Sequence, residues 1–267
     1  MANKIKSKSL LYSFKARGNN RYTYWYETDS LYFKSNKPTQ SVLNKITNEK
    51  PLPSSEDIIA NPWEEWLSND IQKIISYNGV CINYLKTTDT ISLQKEEDFN
   101  LLETYAFLVD NFDVSRAFGF STIQKWHKMV FEEIYPFAGD LRTVQMTKGD
   151  DEEAWVWRVE FLQGIPDFDE FVKLTTQKEY DDIDEISMVL ATLVCDFLFI
   201  HPFREGNGRL SRLICDIILA KNGFPMIGLK LKSGDNYIQR IHDGYLQDYE
   251  PMKELIKEKI LDEITNE

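Results

Sequence analysis

The sequence predicts a mainly α fold, and three observations carry that expectation. From residue 62 onward, apolar residues recur at intervals of three and four, the repeat of a helix with one buried face. With 42% hydrophobic residues, only 12 Gly and only 9 Pro among 267 residues, the chain can bury a sizeable core and wholesale disorder is disfavoured. A single segment, at 141–160, breaks the helical repeat with extended-looking arms.

Residues 1–60 form an N-terminal extension of different composition, rich in Lys, Asn, Ser and Tyr. Within it RYTYWYETDSLYF (21–33) reads as a short strand pair, and SNKPTQ and EKPLPSSED read as linkers. Residues 61–267 then form the helical domain, with helices expected at 62–77, 94–111, 121–134, 166–178, 183–200, 209–222, 235–248 and 251–264. Between them LRTVQMTKGDDEEAWVWRVE reads as a β-hairpin spanning 142–158, its arms RTVQMT and AWVWRV joined by the acidic turn KGDDEE.

Charge and cysteine usage narrow the function classes. A formal charge of −12 argues against nucleic acid as the main partner, because phosphate-backbone binding rests on a basic surface. The three cysteines, Cys81, Cys195 and Cys215, are far apart in mostly apolar surroundings, which suits reduced core thiols, and no CxxC or HxxxH spacing suggests zinc. The start MANKIKSKSLLYSF lacks the apolar centre of a signal peptide. The longest apolar run, ISMVLATLVCDFLFI, is too short to span a bilayer and carries Asp196. A cytoplasmic protein without a membrane partner is expected.

One stretch calls for chemistry: FIHPFREGNGRLSRLICDIILA (199–220) interrupts an apolar run with a histidine, a glutamate, an asparagine between two glycines, and arginines three apart. Pro202 biases His201 out of the α region and ends one helix, and the next is expected from Arg209, with Gly223 as its C-cap. A helix N-terminus offers free N–H groups and the positive end of its dipole to an anion. Gly206 and Gly208 would let the backbone approach a phosphate, and Arg209 and Arg212 on one face would clamp further phosphate oxygens. Glu205 is the candidate Mg²⁺ ligand and His201 the candidate general base. Phe203 reads as the anchor holding the loop to the core, Arg204 as solvated, and Asp196 either as the group orienting His201 or as having no part in the site.

HPFREGNGRLSR resembles the signature HxFx[D/E]GNGRxxR of the Fic family at every specified position. The resemblance runs more loosely over roughly residues 95–255: WHKMVFEEIYPFAGDLRTV is similar to the family's helix and flap entry, and YIQRIHDGYLQDYEPMKELI to its closing helices. It implies a Fic-like helical bundle with a β-hairpin flap. It also implies protein AMP-transfer (AMPylation) from Mg-ATP to a Ser, Thr or Tyr hydroxyl of a target protein. His201 would take the hydroxyl proton, Glu205 would hold Mg²⁺, and Asn207 with the loop amides of Gly206 and Gly208 would stabilise charge on the α-phosphate. Arg209 and Arg212 would bind the β- and γ-phosphates, and Val144, Gln145, Met146, Thr147 and Lys148 in the flap would align the target by strand-like pairing. His127 falls where the family has a structural histidine or similar residue.

Some relatives transfer UMP, phosphocholine or phosphate instead, and an inactive nucleotide-binding regulator is a further alternative. Retention of Gly208 favours AMP, and the intact His201 and Glu205 oppose inactivity. Many family members carry an inhibitory helix with [S/T]xxxE[G/N]. Here that spacing occurs at Thr23/Glu27, Ser92/Glu96 and Thr175/Glu179 without the final Gly or Asn, and a capping box is the expectation for Ser92/Glu96. Restraint would then come from a separate inhibitory protein, or be divergent or absent.

Overall fold

Short side chains that receive backbone N–H groups set several helix starts in this chain. The structure, a computed structural model, describes residues 7–15, 21–28, 80–113, 115–143, 158–228, 230–231 and 236–265. In helix α1 (Thr90–Asn111) the Asp89 carboxylate accepts from the N–H groups of Ile91 and Ser92, both at 3.3 Å. A cap of this kind is worth about 1 kcal/mol. Asp89 therefore replaces the capping box expected at Ser92/Glu96: Ser92 lies inside the first turn, with its own hydroxyl donating to Asp89.

Helix α2 (Phe120–Phe131) is started from a distance, its Phe120 N–H donating to Asp169 at 2.6 Å. Asp169 lies on α3 (Arg158–Gln177), which runs through Pro166 rather than starting there. α4 (Ile183–Ile200) has the expected bounds, with Asp182 accepting from the Glu185 N–H at 2.9 Å. α5 (Asn207–Lys221), α6 (Tyr237–Tyr245) and α7 (Glu250–Thr265) complete the helices. The expected helix at 62–77 lies outside the described residues, as do residues 144–157 of the expected hairpin, including Val144, Gln145, Met146, Thr147 and Lys148. In the N-terminal extension β1 (Ser7–Lys15) and β2 (Arg21–Thr28) form a two-stranded sheet. The partner of β2 thus lies upstream of the 21–33 segment expected to hold both strands.

The described residues fall into two units. One joins α1 to residues 80–89 and 128–138: Tyr105, Leu108, Phe131, Ile134 and Phe137 are buried there, and the Tyr135 hydroxyl donates to Glu97 at 2.5 Å. In the same unit Glu96 is buried, and burial followed by the neighbouring Glu133 charge raises its carboxyl pKa.

The other unit is built around α4, which packs against α3, α5, α6 and α7. Ile186, Leu190, Leu193, Val194 and Phe197 of α4, together with Leu210, Leu213, Ile214 and Ile218 of α5, are sealed from solvent. All three cysteines are buried outside any disulfide, and burial raises the Cys195 thiol to about 12. Among the described residues, no helix is long and apolar enough to cross a membrane.

Candidate functional site

The C-terminus of α4, a short loop and the N-terminus of α5 bring the signature residues together. α4 ends on His201, which adopts the left-handed conformation (φ 50°, ψ 59°) while its N–H still donates to the Phe197 carbonyl at 2.9 Å. The helix ends as expected, but in a left-handed cap rather than extended backbone. His201 Nδ1 lies 3.1 Å from the Leu198 carbonyl oxygen. A carbonyl only accepts, so that contact puts the ring proton on Nδ1 and leaves the lone pair of the neutral imidazole on Nε2.

The loop is closed by Asn207 and seated by Phe203. The Asn207 side chain accepts from the Phe203 N–H at 3.0 Å and donates to the Phe203 carbonyl at 2.8 Å. Its amide therefore closes the loop, and what Asn207 offers an anion is its backbone N–H in the first turn of α5, outside the helical ladder. The fully buried Phe203 ring stacks on His127 at 4.0 Å and 14°, with Phe120 at 6.0 Å and Phe197 at 6.3 Å, as an anchor should. Arg204 is half-buried rather than solvated.

Gly206 is the true boundary of α5. Its φ of 80° is the left-handed geometry that glycine adopts without penalty, and its N–H donates to Glu205 Oε1 at 2.9 Å. Gly208, by contrast, is already helical, so α5 starts two positions before the expected Arg209. A Cβ at Gly208 would meet only the Arg212 guanidinium, at 3.4 Å, an ordinary contact. Arg209 and Arg212, three apart in the first turns, are both half-buried. Beside Arg212 stands Tyr237, whose hydroxyl burial pushes up to about 12 against the opposing pull of the guanidinium.

Three residues with no catalytic or binding role expected from the sequence support this segment. His127, fully buried, accepts from the Gly139 N–H at 2.8 Å through Nδ1 and donates from Nε2 to the Glu205 carbonyl at 3.0 Å. Asp216 Oδ1 accepts from the N–H groups of Ile227 and Gly228, both at 2.7 Å, and so fastens the chain beyond α5. Arg142, expected in a hairpin arm, is instead buried against the end of α4, and Leu141 pairs with Phe203 as an antiparallel bridge. Asp196 does not orient His201; it accepts from the Tyr249 hydroxyl at 2.8 Å.

The His127 geometry makes a pH prediction. Burial, against the opposing hydrogen bond to Glu205, lowers the imidazole pKa from 6.5 to about 4. Between these values the unfolded chain binds a proton that the native state refuses, so stability is intact above pH 6.5 and falls as pH drops toward 4. The loss amounts to about 3 kcal/mol in that window. Thermal melting across it should show a steep acid-side decline that His127→Gln flattens.

The donor set suits a magnesium nucleotide. Glu205 supplies one hard carboxylate, and Mg²⁺ is commonly held by one or two carboxylates with substrate phosphates and water. The first turns of α5 offer N–H groups that lie outside the helical ladder and carry Arg209 and Arg212, groups of the kind that bind a polyphosphate.

Comparison with known proteins bears on the fold and the family. Residues 117–219 match the profile of the Fic/DOC family. The chain is 28% identical over 130 residues to protein adenylyltransferase fic-1 of Caenorhabditis briggsae, covering 48% of this chain and 24% of that protein. It is 27% identical over 135 residues to protein adenylyltransferase VbhT of Bartonella schoenbuchensis, covering 50% and 27%. The chain thus spans about a quarter of the length of these relatives. Among solved structures, BepC of Bartonella tribocorum with bound AMPPNP superposes with a TM-score of 0.57 at 14% identity, covering 67% of this chain and 90% of that one. The FIC domain of Bep8 from Bartonella sp. 1-1C gives 0.58 at 18%, covering 68% and 91%. The helices, the complete signature on the α4–α5 turn and the profile match together support a Fic-family protein, the match to the Fic/DOC family lying over residues 117–219.

Proposed function

We propose that this chain transfers AMP from Mg-ATP to a side-chain hydroxyl of a target protein. The observation that carries the reading is the 3.1 Å contact of His201 Nδ1 with the Leu198 carbonyl: in the neutral ring it puts the proton on Nδ1 and the basic lone pair on Nε2, at the loop leading to the N-terminus of α5. Positioning and charge stabilisation do most of the work in transfers at phosphorus. The Gly206, Asn207 and Gly208 backbone would receive the α-phosphate, and Arg209 and Arg212 the β- and γ-phosphates. Glu205 would hold Mg²⁺, which when bound would neutralise phosphate charge.

The adenylyltransferase names of fic-1 and VbhT, and the AMPPNP bound in BepC, support a nucleotide substrate. The bases of substrate choice, including flap residues 144–148, and restraint by a separate inhibitory protein are parts of the same reading. Incubation with ATP labelled once at the α- and once at the γ-phosphate tests it. Protein-bound α-label supports AMP transfer, and γ-label alone would replace it with phosphate transfer.

Glu205→Gln probes the metal role. Its carboxylate accepts only the adjacent Gly206 N–H among the hydrogen bonds described for its side chain, so the amide should leave the fold intact. Transfer should fall at ordinary Mg²⁺ and recover in part at high Mg²⁺, as a Mg²⁺ titration would read. An unchanged Mg²⁺ dependence would place the carboxylate outside the metal site.

A further inference from the structure

We propose that Arg142 is a positioning residue for His201, holding the backbone whose conformation selects the Nδ1–H tautomer. Its side chain is 1% exposed, rare for an arginine. Its Nε donates to the His201 carbonyl at 2.8 Å, and Nη2 reaches the Ile200 carbonyl at 3.5 Å. Its own N–H donates to the Pro202 carbonyl at 2.8 Å, and the adjoining Leu141 pairs with Phe203. Residues 141–142 thus strap every residue from Ile200 to Phe203.

The strap answers two needs of the α4 terminus. The last carbonyls of a helix lack intrahelical partners and carry the negative end of its dipole. The last turn of α4 has no basic residue of its own, and the Arg142 guanidinium supplies the charge and the donors from elsewhere in the chain. His201 also holds a left-handed conformation that costs a non-glycine residue energy, so something must over-determine it. Its ψ decides where its carbonyl points, and that carbonyl is the one Arg142 grips. With the backbone fixed, the ring lies where Nδ1–H meets the Leu198 carbonyl, three residues back. Release of the grip frees ψ, and with it the contact that keeps the lone pair on Nε2.

The test reads the tautomer directly. The chain has three histidines, so ¹⁵N-imidazole spectra of this 267-residue chain can be assigned by single substitutions of His127, His201 and His242. In the wild type His201 should show the Nδ1–H tautomer. In Arg142→Met it should become a mixture with Nε2–H, while the His127 signals, which report an intact core, stay unchanged. The kinetic arm rests on the proposed AMP transfer: kcat should fall roughly 10²-fold, the scale of an ångström misplacement, with KM for ATP nearly constant. Arg142→Lys keeps the charge but loses the fork, so it should lie between the two, and it carries the test if the Met variant does not fold. A folded variant that keeps both the wild-type tautomer and the wild-type kcat would overturn the proposal. Transfer that survives His201→Ala would instead overturn the reading of the base and leave the tautomer result to judge Arg142 alone.

Discussion

His201→Ala should reduce transfer of α-label to below about 1% of the wild-type rate, since a positioned general base contributes roughly 10²–10⁴-fold. ATP binding should change little, because the groups assigned to the phosphates are the first-turn N–H groups of α5, Arg209 and Arg212. The fold should also persist: His201 is half-buried, and its backbone contacts, its N–H donating to the Phe197 carbonyl and its carbonyl accepting from Arg142, do not involve the imidazole. The ring's own contact to Leu198 is lost, at the modest net cost of one hydrogen bond, about 1 kcal/mol. Calorimetric ATP binding alongside the labelled assay separates these effects. Loss of binding and transfer together would mean that His201 serves the nucleotide rather than the hydroxyl.

Phe203→Ala should be the most destabilising single change in the loop. The ring is fully buried between His127, Phe120 and Phe197, so its removal leaves a cavity and costs about 3–5 kcal/mol. For a chain of this size that corresponds to a fall in melting temperature of roughly 10 °C. Transfer should fall as well, because the Phe203 backbone receives both ends of the Asn207 amide and pairs with Leu141. Phe203→Leu, which keeps most of the volume, should lose clearly less stability. A melting temperature unmoved by Phe203→Ala would mean that the loop is seated by other contacts.

What the sequence revealed followed the range of the interactions. The bounds of α4, the anchor Phe203 and the clustering of His201, Glu205, Arg209 and Arg212 depend on residues within one short segment, and spacing alone exposes them. The start of α5 was misplaced because glycine alone does not say which of two positions carries the positive φ; Gly206 does and Gly208 does not. The N-terminus of α1 was missed because Asp89 stands just before the periodic residues that set the expected start. Arg142, His127 and Asp196 find their partners 59, 78 and 53 residues away, and no local pattern announces such pairs. The family resemblance alone singled out His127 as structural, and the structure adds the reason: it holds the carbonyl of the residue proposed to bind the metal.

The central claim is that the α4–α5 turn moves AMP with His201 as base. Mass spectrometry of target proteins incubated with Mg-ATP and either the wild type or His201→Ala tests it most directly. An adenylyl group on a Ser, Thr or Tyr hydroxyl, present with the wild type and absent with the variant, is the result expected. A phosphoryl group in its place, or an adenylyl group that persists with His201→Ala, would contradict it.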